Sequence, residues 1–156
     1  MKQYRRTLSL SWTIGMILLG TPVSGLAASG PANDNFTDAT EVSGSEFSVM
    51  LVGTPIQATH EAGEPFVTTG SGSVWYRWKS PFSGVVQAGF VLGAGSVRLL
   101  SGTSFSDFVS SSDDLVAADA LVTEGTTYYF NVHTFGTNGI PFRVSVMRKN
   151  DMFVEA

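Results

Sequence analysis

In Val74-Trp75-Tyr76-Arg77-Trp78-Lys79, one set of side chains (Val74, Tyr76, Trp78) alternates with another (Trp75, Arg77, Lys79). A period of two puts successive side chains on opposite faces of an extended chain, so this run predicts a half-buried strand. The pattern recurs downstream. Tyr128, Phe130 and Val132 alternate with Tyr129, Asn131 and His133, and Phe142, Val144 and Val146 alternate with Arg143, Ser145 and Met147. Aromatic and β-branched residues fill these runs, as strands prefer. Further strands are expected at 46–51, 56–59, 85–90, 96–100 and 120–122. Turn signals separate them, among them Gly53-Thr54-Pro55, Gly70-Ser71-Gly72, Pro81-Phe82-Ser83-Gly84, Glu124-Gly125 and Thr137-Asn138-Gly139. No long helical period appears after the N-terminal segment. About eight short strands at this spacing predict an all-β, two-sheet antiparallel β-sandwich. The Ser-rich stretch 101–112 reads as a loop that Phe105 and Phe108 fold back onto the core.

The two ends carry their own signals. Lys2, Arg5 and Arg6 precede a mostly apolar, uncharged stretch from Leu8 to Leu19, followed by Pro22, Gly25, Ala27 and Ala28. This order reads as a secretory signal peptide over 1–28, and Ser9, Ser11, Thr13 and Gly15 dilute it below a good membrane span. Residues 29–149 then form one module. Asn33-Asp34-Asn35-Phe36-Thr37-Asp38-Ala39 matches Asn150-Asp151-Met152-Phe153-Val154-Glu155-Ala156 at an offset of 117 residues, so 150–156 reads as the start of a second repeat.

Without Lys2, Arg5 and Arg6, six basic residues face 13 acids, a formal charge of −7. Such a balance argues against nucleic acid or anionic lipid as partner. There is no cysteine, so an exported module of this size folds without disulfides, and a metal is a natural staple to look for.

Pro31 to Phe36 resembles the opening of the bacterial secreted repeats of the pre-peptidase C-terminal family. So do Ala58-Thr59-His60-Glu61-Ala62-Gly63-Glu64-Pro65, Ser73 to Pro81, Gly125 to Val132 and Gly139 to Val146. The resemblance covers roughly Gly30 to Met147. It implies a jelly-roll-like sandwich related to the collagen-binding domains of clostridial collagenases, serving as an accessory module beside proteases or other hydrolases. Some relatives bind calcium near the domain start, and the positions that match are Asn33, Asp34, Glu61 and Glu64. A Phe-Asp-Thr segment common in such repeats is replaced here by Gly95-Ser96-Val97-Arg98.

Asn33, Asp34, Glu61 and Glu64 offer the oxygen ligands calcium takes. The other reading is that Asn33 and Asp34 cap the entry turn through backbone hydrogen bonds while the two glutamates stay solvated. Asp113 and Asp114 read as a surface turn. Alternation buries Tyr76 and Trp78 and turns Trp75 outward beside Arg77, with Tyr129 and His133 on the outward face of their strand. These four residues are the expected ligand contacts. Catalysis finds no motif: no Gly-x-Ser-x-Gly elbow, phosphate loop or His-Glu-x-x-His is present, and His60 and His133 read as ordinary loop or strand residues. The expected function is a secreted, non-catalytic module that binds an extracellular protein or polysaccharide. The rival readings are a structural spacer or adhesion repeat and an accessory fragment of a secreted hydrolase.

Overall fold

The computed structural model describes residues 30–44, 48–65, 72–134 and 141–149. The leader at 1–28 and the second-repeat motif at 150–156 lie outside them. A 3-10 turn at Phe36–Asp38 precedes nine strands: β1 Thr40–Val42, β2 Ser48–Gly53, β3 Ser73–Lys79, β4 Gly84–Leu92, β5 Gly95–Ser101, β6 Val109–Ser112, β7 Ala120–Val122, β8 Thr127–Thr134 and β9 Phe142–Arg148. They form two sheets that do not close into a barrel. Sheet A runs β1-β3-β8-β5-β6 and sheet B runs β2-β9-β4-β7.

The pairing is nested. β2 pairs with β9, β3 with β8, β4 with β7 and β5 with β6, all antiparallel. The chain from β2 to β9 is therefore one long hairpin wrapped on itself, and β4–β9 and β5–β8 contacts join its turns into two sheets. That is the jelly-roll arrangement. Only β1, at one edge of sheet A, runs parallel to its neighbour, β3, with Glu41 opposite Arg77.

The alternation in the sequence explains the core. Val74, Tyr76, Trp78, Val97, Leu99, Phe130 and Val132 line the inner face of sheet A, and Val49, Leu51, Val86, Val144 and Val146 that of sheet B; all are buried. Tyr76 and Trp78 are thus inside, as alternation requires. Burial pushes the Tyr76 phenol up to about 12, and its hydroxyl donates to the Val52 carbonyl at 2.9 Å, tying the sheets together. Leu115, in the β6–β7 crossing, closes one end. Its N–H donates to Val97 of sheet A, and its carbonyl accepts from Ala88 of sheet B.

Three segments differ from the sequence expectation. The strand expected at 56–59 is a turn, with Gln57 at φ 60° and the Ala58 N–H bonded to the Pro55 carbonyl. Pro55 cannot donate to a ladder, and Thr59 is held by Asp34 instead. The strand expected at 46–51 is described at Ser48–Gly53. The Ser-rich stretch is not all loop. Asp107 accepts from the backbone and hydroxyls of Thr103 and Ser104, bonds that hold its carboxyl down to about 2. The chain then enters β6, an edge strand whose polar composition hid it. β1 was hidden for the same reason.

Candidate functional site

The outward side chains of sheet A form a grid fixed by register. Ser73 sits opposite His133, Trp75 opposite Asn131, Arg77 opposite Tyr129 and Lys79 opposite Thr127. On the far side of β8, Arg98 lies opposite Asn131 and Leu100 opposite Tyr129. Most of this grid is buried: Trp75 and Leu100 are 0 % exposed and His133 1 %. The expectation that Trp75 and His133 face solvent is therefore corrected. Alternation sends them to the outer face as anticipated, but a third layer covers that face.

The layer has an apolar half and a polar half. Phe36 packs edge-on against Trp75 at 5.4 Å and lies 4.7 Å from Tyr129, while Phe105 and Phe108 close over the same indole. Phe105 and Phe108 thus fold back as their composition suggests, onto the outside of sheet A rather than into the space between the sheets. The polar half centres on the buried carboxylate of Glu64. Its Oε1 accepts from the Ser73 hydroxyl and, at 3.0 Å, from the Asn131 amide; its Oε2 accepts from the Glu61 N–H at 3.0 Å. His60 Nδ1 lies 3.3 Å from Oε2.

Because the Asn131 amide nitrogen donates to Glu64, its oxygen must accept, so His133 donates to it from Nε2–H. Burial, with the charge of Arg98 and the nearby His60, lowers the His133 pKa to about 4, so the ring is neutral at neutral pH. A carboxylate with this many donors is satisfied despite its burial. The Ser73 hydroxyl is fully buried and engaged with Glu64, so it presents no exposed nucleophile.

The four residues matched to calcium lie on two straps over sheet A, the entry segment 30–39 and the loop 57–65. The Asn33 side chain donates to the Trp75 carbonyl at 2.8 Å, and the Trp75 N–H donates to the Asn33 carbonyl at 2.9 Å. Asp34 accepts from the N–H and hydroxyl of Thr59 at 2.6 and 2.7 Å, and Glu61 accepts from the Phe36 N–H. At least five of the six carboxylate oxygens of Asp34, Glu61 and Glu64 thus already face N–H or O–H donors, with which a cation would have to compete. Among the described residues, no group of three or more His, Cys, Asp or Glu is gathered to hold a metal. Asp113 and Asp114 form a turn, accepting from the Ser110 hydroxyl and the Val116 N–H.

One end of the face stays open. Glu41, Arg77, Lys79, Thr103, Thr127 and Tyr129 line a cleft of about 360 Å³. Arg77 donates to Glu41 at 2.9 Å, and this contact holds its guanidinium above the usual range. Both partners are well exposed, so the pair is weak and readily exchanged. Of the four expected contact residues, Arg77 and the half-buried Tyr129 line this cleft, whereas Trp75 and His133 lie beneath the third layer.

The sequence reading missed the Ser73–Glu64–Asn131 cluster. Residue type gave little signal for it: Ser, Asn and His are ordinary on a solvated face, and only the large aromatics Trp75 and Tyr129 beside them point to a cover. No family model, curated protein or solved structure matches this chain.

Proposed function

We propose that this chain is a secreted, non-catalytic β-sandwich module that binds an extracellular protein or polysaccharide through the open end of sheet A. The observation that carries this reading is the selective cover of the outer face. Straps and aromatic rings seal it except where Arg77, Lys79, the Tyr129 ring and two threonines line the cleft. Two cations beside hydroxyl groups favour an acidic stretch of polymer, whose carboxylate or sulfate would take the place of Glu41 on Arg77. Accessory modules of the pre-peptidase C-terminal type, which the sequence resembles, fit the same role. Isothermal titration of the purified protein with polygalacturonate, a sulfated glycan, a poly-glutamate peptide and neutral dextran tests it. Binding to an acidic polymer that Arg77→Ala and Lys79→Ala each weaken, with melting unchanged, supports the cleft. Equal binding by these variants, or no binding at all, sinks it and favours the structural spacer or adhesion repeat.

Calcium stabilisation is a second reading, carried by the meeting of Asn33, Asp34 and Glu61 where the two straps join. Melts in millimolar calcium and in EDTA separate the cases. A ligand at 100 times its dissociation constant adds about 2.7 kcal/mol. A rise of that order, lost in Asp34→Ala, supports a metal; coincident melts leave the strap held by hydrogen bonds alone.

A further inference from the structure

The outer face of sheet B contrasts with that of sheet A. Met50, Val52, Val91, Leu92, Leu121 and Met147 stand on it between 44 % and 74 % exposed. No acidic residue lies within its described strands in a chain with 13 acids, and its charges are Arg143 and, toward the β7 end, the Lys149–Asp119 ion pair. Exposed apolar residues gathered in this number on one sheet face are seldom left to water.

The centre of the face is hollow. Gly89 of β4 and Met50 of β2 both lie opposite Ser145 of β9, so a glycine and a serine sit side by side in the middle of the sheet. Met147, two residues on from Ser145, rises beside this trough from the same strand. Glycine weakens a strand interior, so its presence needs a cause. Elsewhere the causes are internal. Gly63, Gly84, Gly93, Gly102 and Gly125 have left-handed φ values, and a methyl group at Gly53, Gly72 or Gly95 would collide with Tyr76 or with neighbouring backbone. Gly89 alone among the described glycines has neither a left-handed φ nor any atom within 4 Å of where a Cβ would stand. Among the described residues nothing asks for a glycine there. A close approach from outside would.

We infer that this face is a self-association surface on which a second copy of the chain packs two-fold, each Met147 entering the partner's Gly89–Ser145 trough. Ridge and hollow lie next to each other on one face, which is the self-complementarity an isologous dimer needs. A two-fold axis between Ser145 and Met147 brings each ridge over the other hollow. The six apolar side chains expose roughly 600 Å² per copy, so a pair that covered them fully would bury about 1,200 Å², the lower end of specific interfaces. Asp119, the acid at its rim, is paired with Lys149, so two acidic chains can meet there without bare acids opposed.

Sedimentation velocity of the full chain, purified as the cell processes it, tests the inference between about 1 and 300 µM, the range where an interface of this size associates. The expected result is a reversible monomer–dimer equilibrium. Gly89→Val should raise the dissociation constant by about tenfold or more, the effect of blocking a central contact, while the dilute monomer melts no lower than the wild type. Met147→Ser should weaken the dimer comparably by removing the ridge. A wild type that stays monomeric throughout the range overturns the proposal and assigns the face to a different partner. Variants that dimerise as tightly as wild type, assembly beyond the dimer, or a lower melt for monomeric Gly89→Val overturn it as well. The cleft on sheet A is not involved, so failure of either idea leaves the other standing.

Discussion

Glu64 holds the loop 57–65 against sheet A through a single buried carboxylate that collects donors from Ser73, Asn131 and Glu61. Truncation would strand those donors without water, and losses of this kind run to about 3 kcal/mol or more. Glu64→Ala should therefore lower stability by that order in urea titration, and an unchanged midpoint would show that the cluster is dispensable. His133 gives the site a pH signature. Its folded pKa lies near 4 against an ordinary 6.5, so the unfolded chain takes up the proton first as pH falls. The contribution is complete above pH 6.5 and drains away toward pH 4, by up to about 3 kcal/mol. His133→Gln should flatten the stability profile across that window. An identical slope in the variant would assign the acid sensitivity elsewhere. The cluster was not legible from residue types, because Glu64 and His133 lie far apart in the chain and are brought together by Asn131 and His60.

The straps hold no strand and only the 3-10 turn Phe36–Asp38, yet they turn a two-layer sandwich into a molecule with a third layer on one side. Phe36 is the keystone of the apolar half, touching Trp75, Phe105, Phe108 and Tyr129. Because Phe36 is itself only half-buried, Phe36→Ala should cost somewhat less than a full core truncation, about 2–3 kcal/mol. It should also shift Trp75 emission to the red as water reaches the indole. Emission that stays blue would mean that Phe105 and Phe108 suffice as cover. The repeated periods of β3, β8 and β9 were plain in the sequence because each carries a strict alternation of large apolar residues. β1 and β6 were not, since short polar edge strands bury too little to leave a pattern. The turn at 56–59 imitated a strand because Ile56 and Ala58 alternate, yet Ile56 is exposed.

At the scale of the whole molecule, the nested hairpin makes its first and last partners, β2 and β9, distant in sequence. Closing such contacts is slow, so refolding should take milliseconds to seconds. A refolding phase completed in microseconds by stopped-flow or temperature-jump fluorescence would contradict that topology. Among the described residues the two outer faces also diverge at this scale, one capped by straps and open at the Arg77–Tyr129 end, the other carrying six exposed apolar side chains. The sequence by itself determined the two-sheet class and the inner core, because a period of two fixes which side chains share a face and that information is local. Only the tertiary structure decided that Trp75 and His133 are buried, that Asp34 and Glu61 tie two straps together, and that Gly89 faces open space. Alternation assigns a residue to a side of its sheet; what covers that side comes from segments distant along the chain.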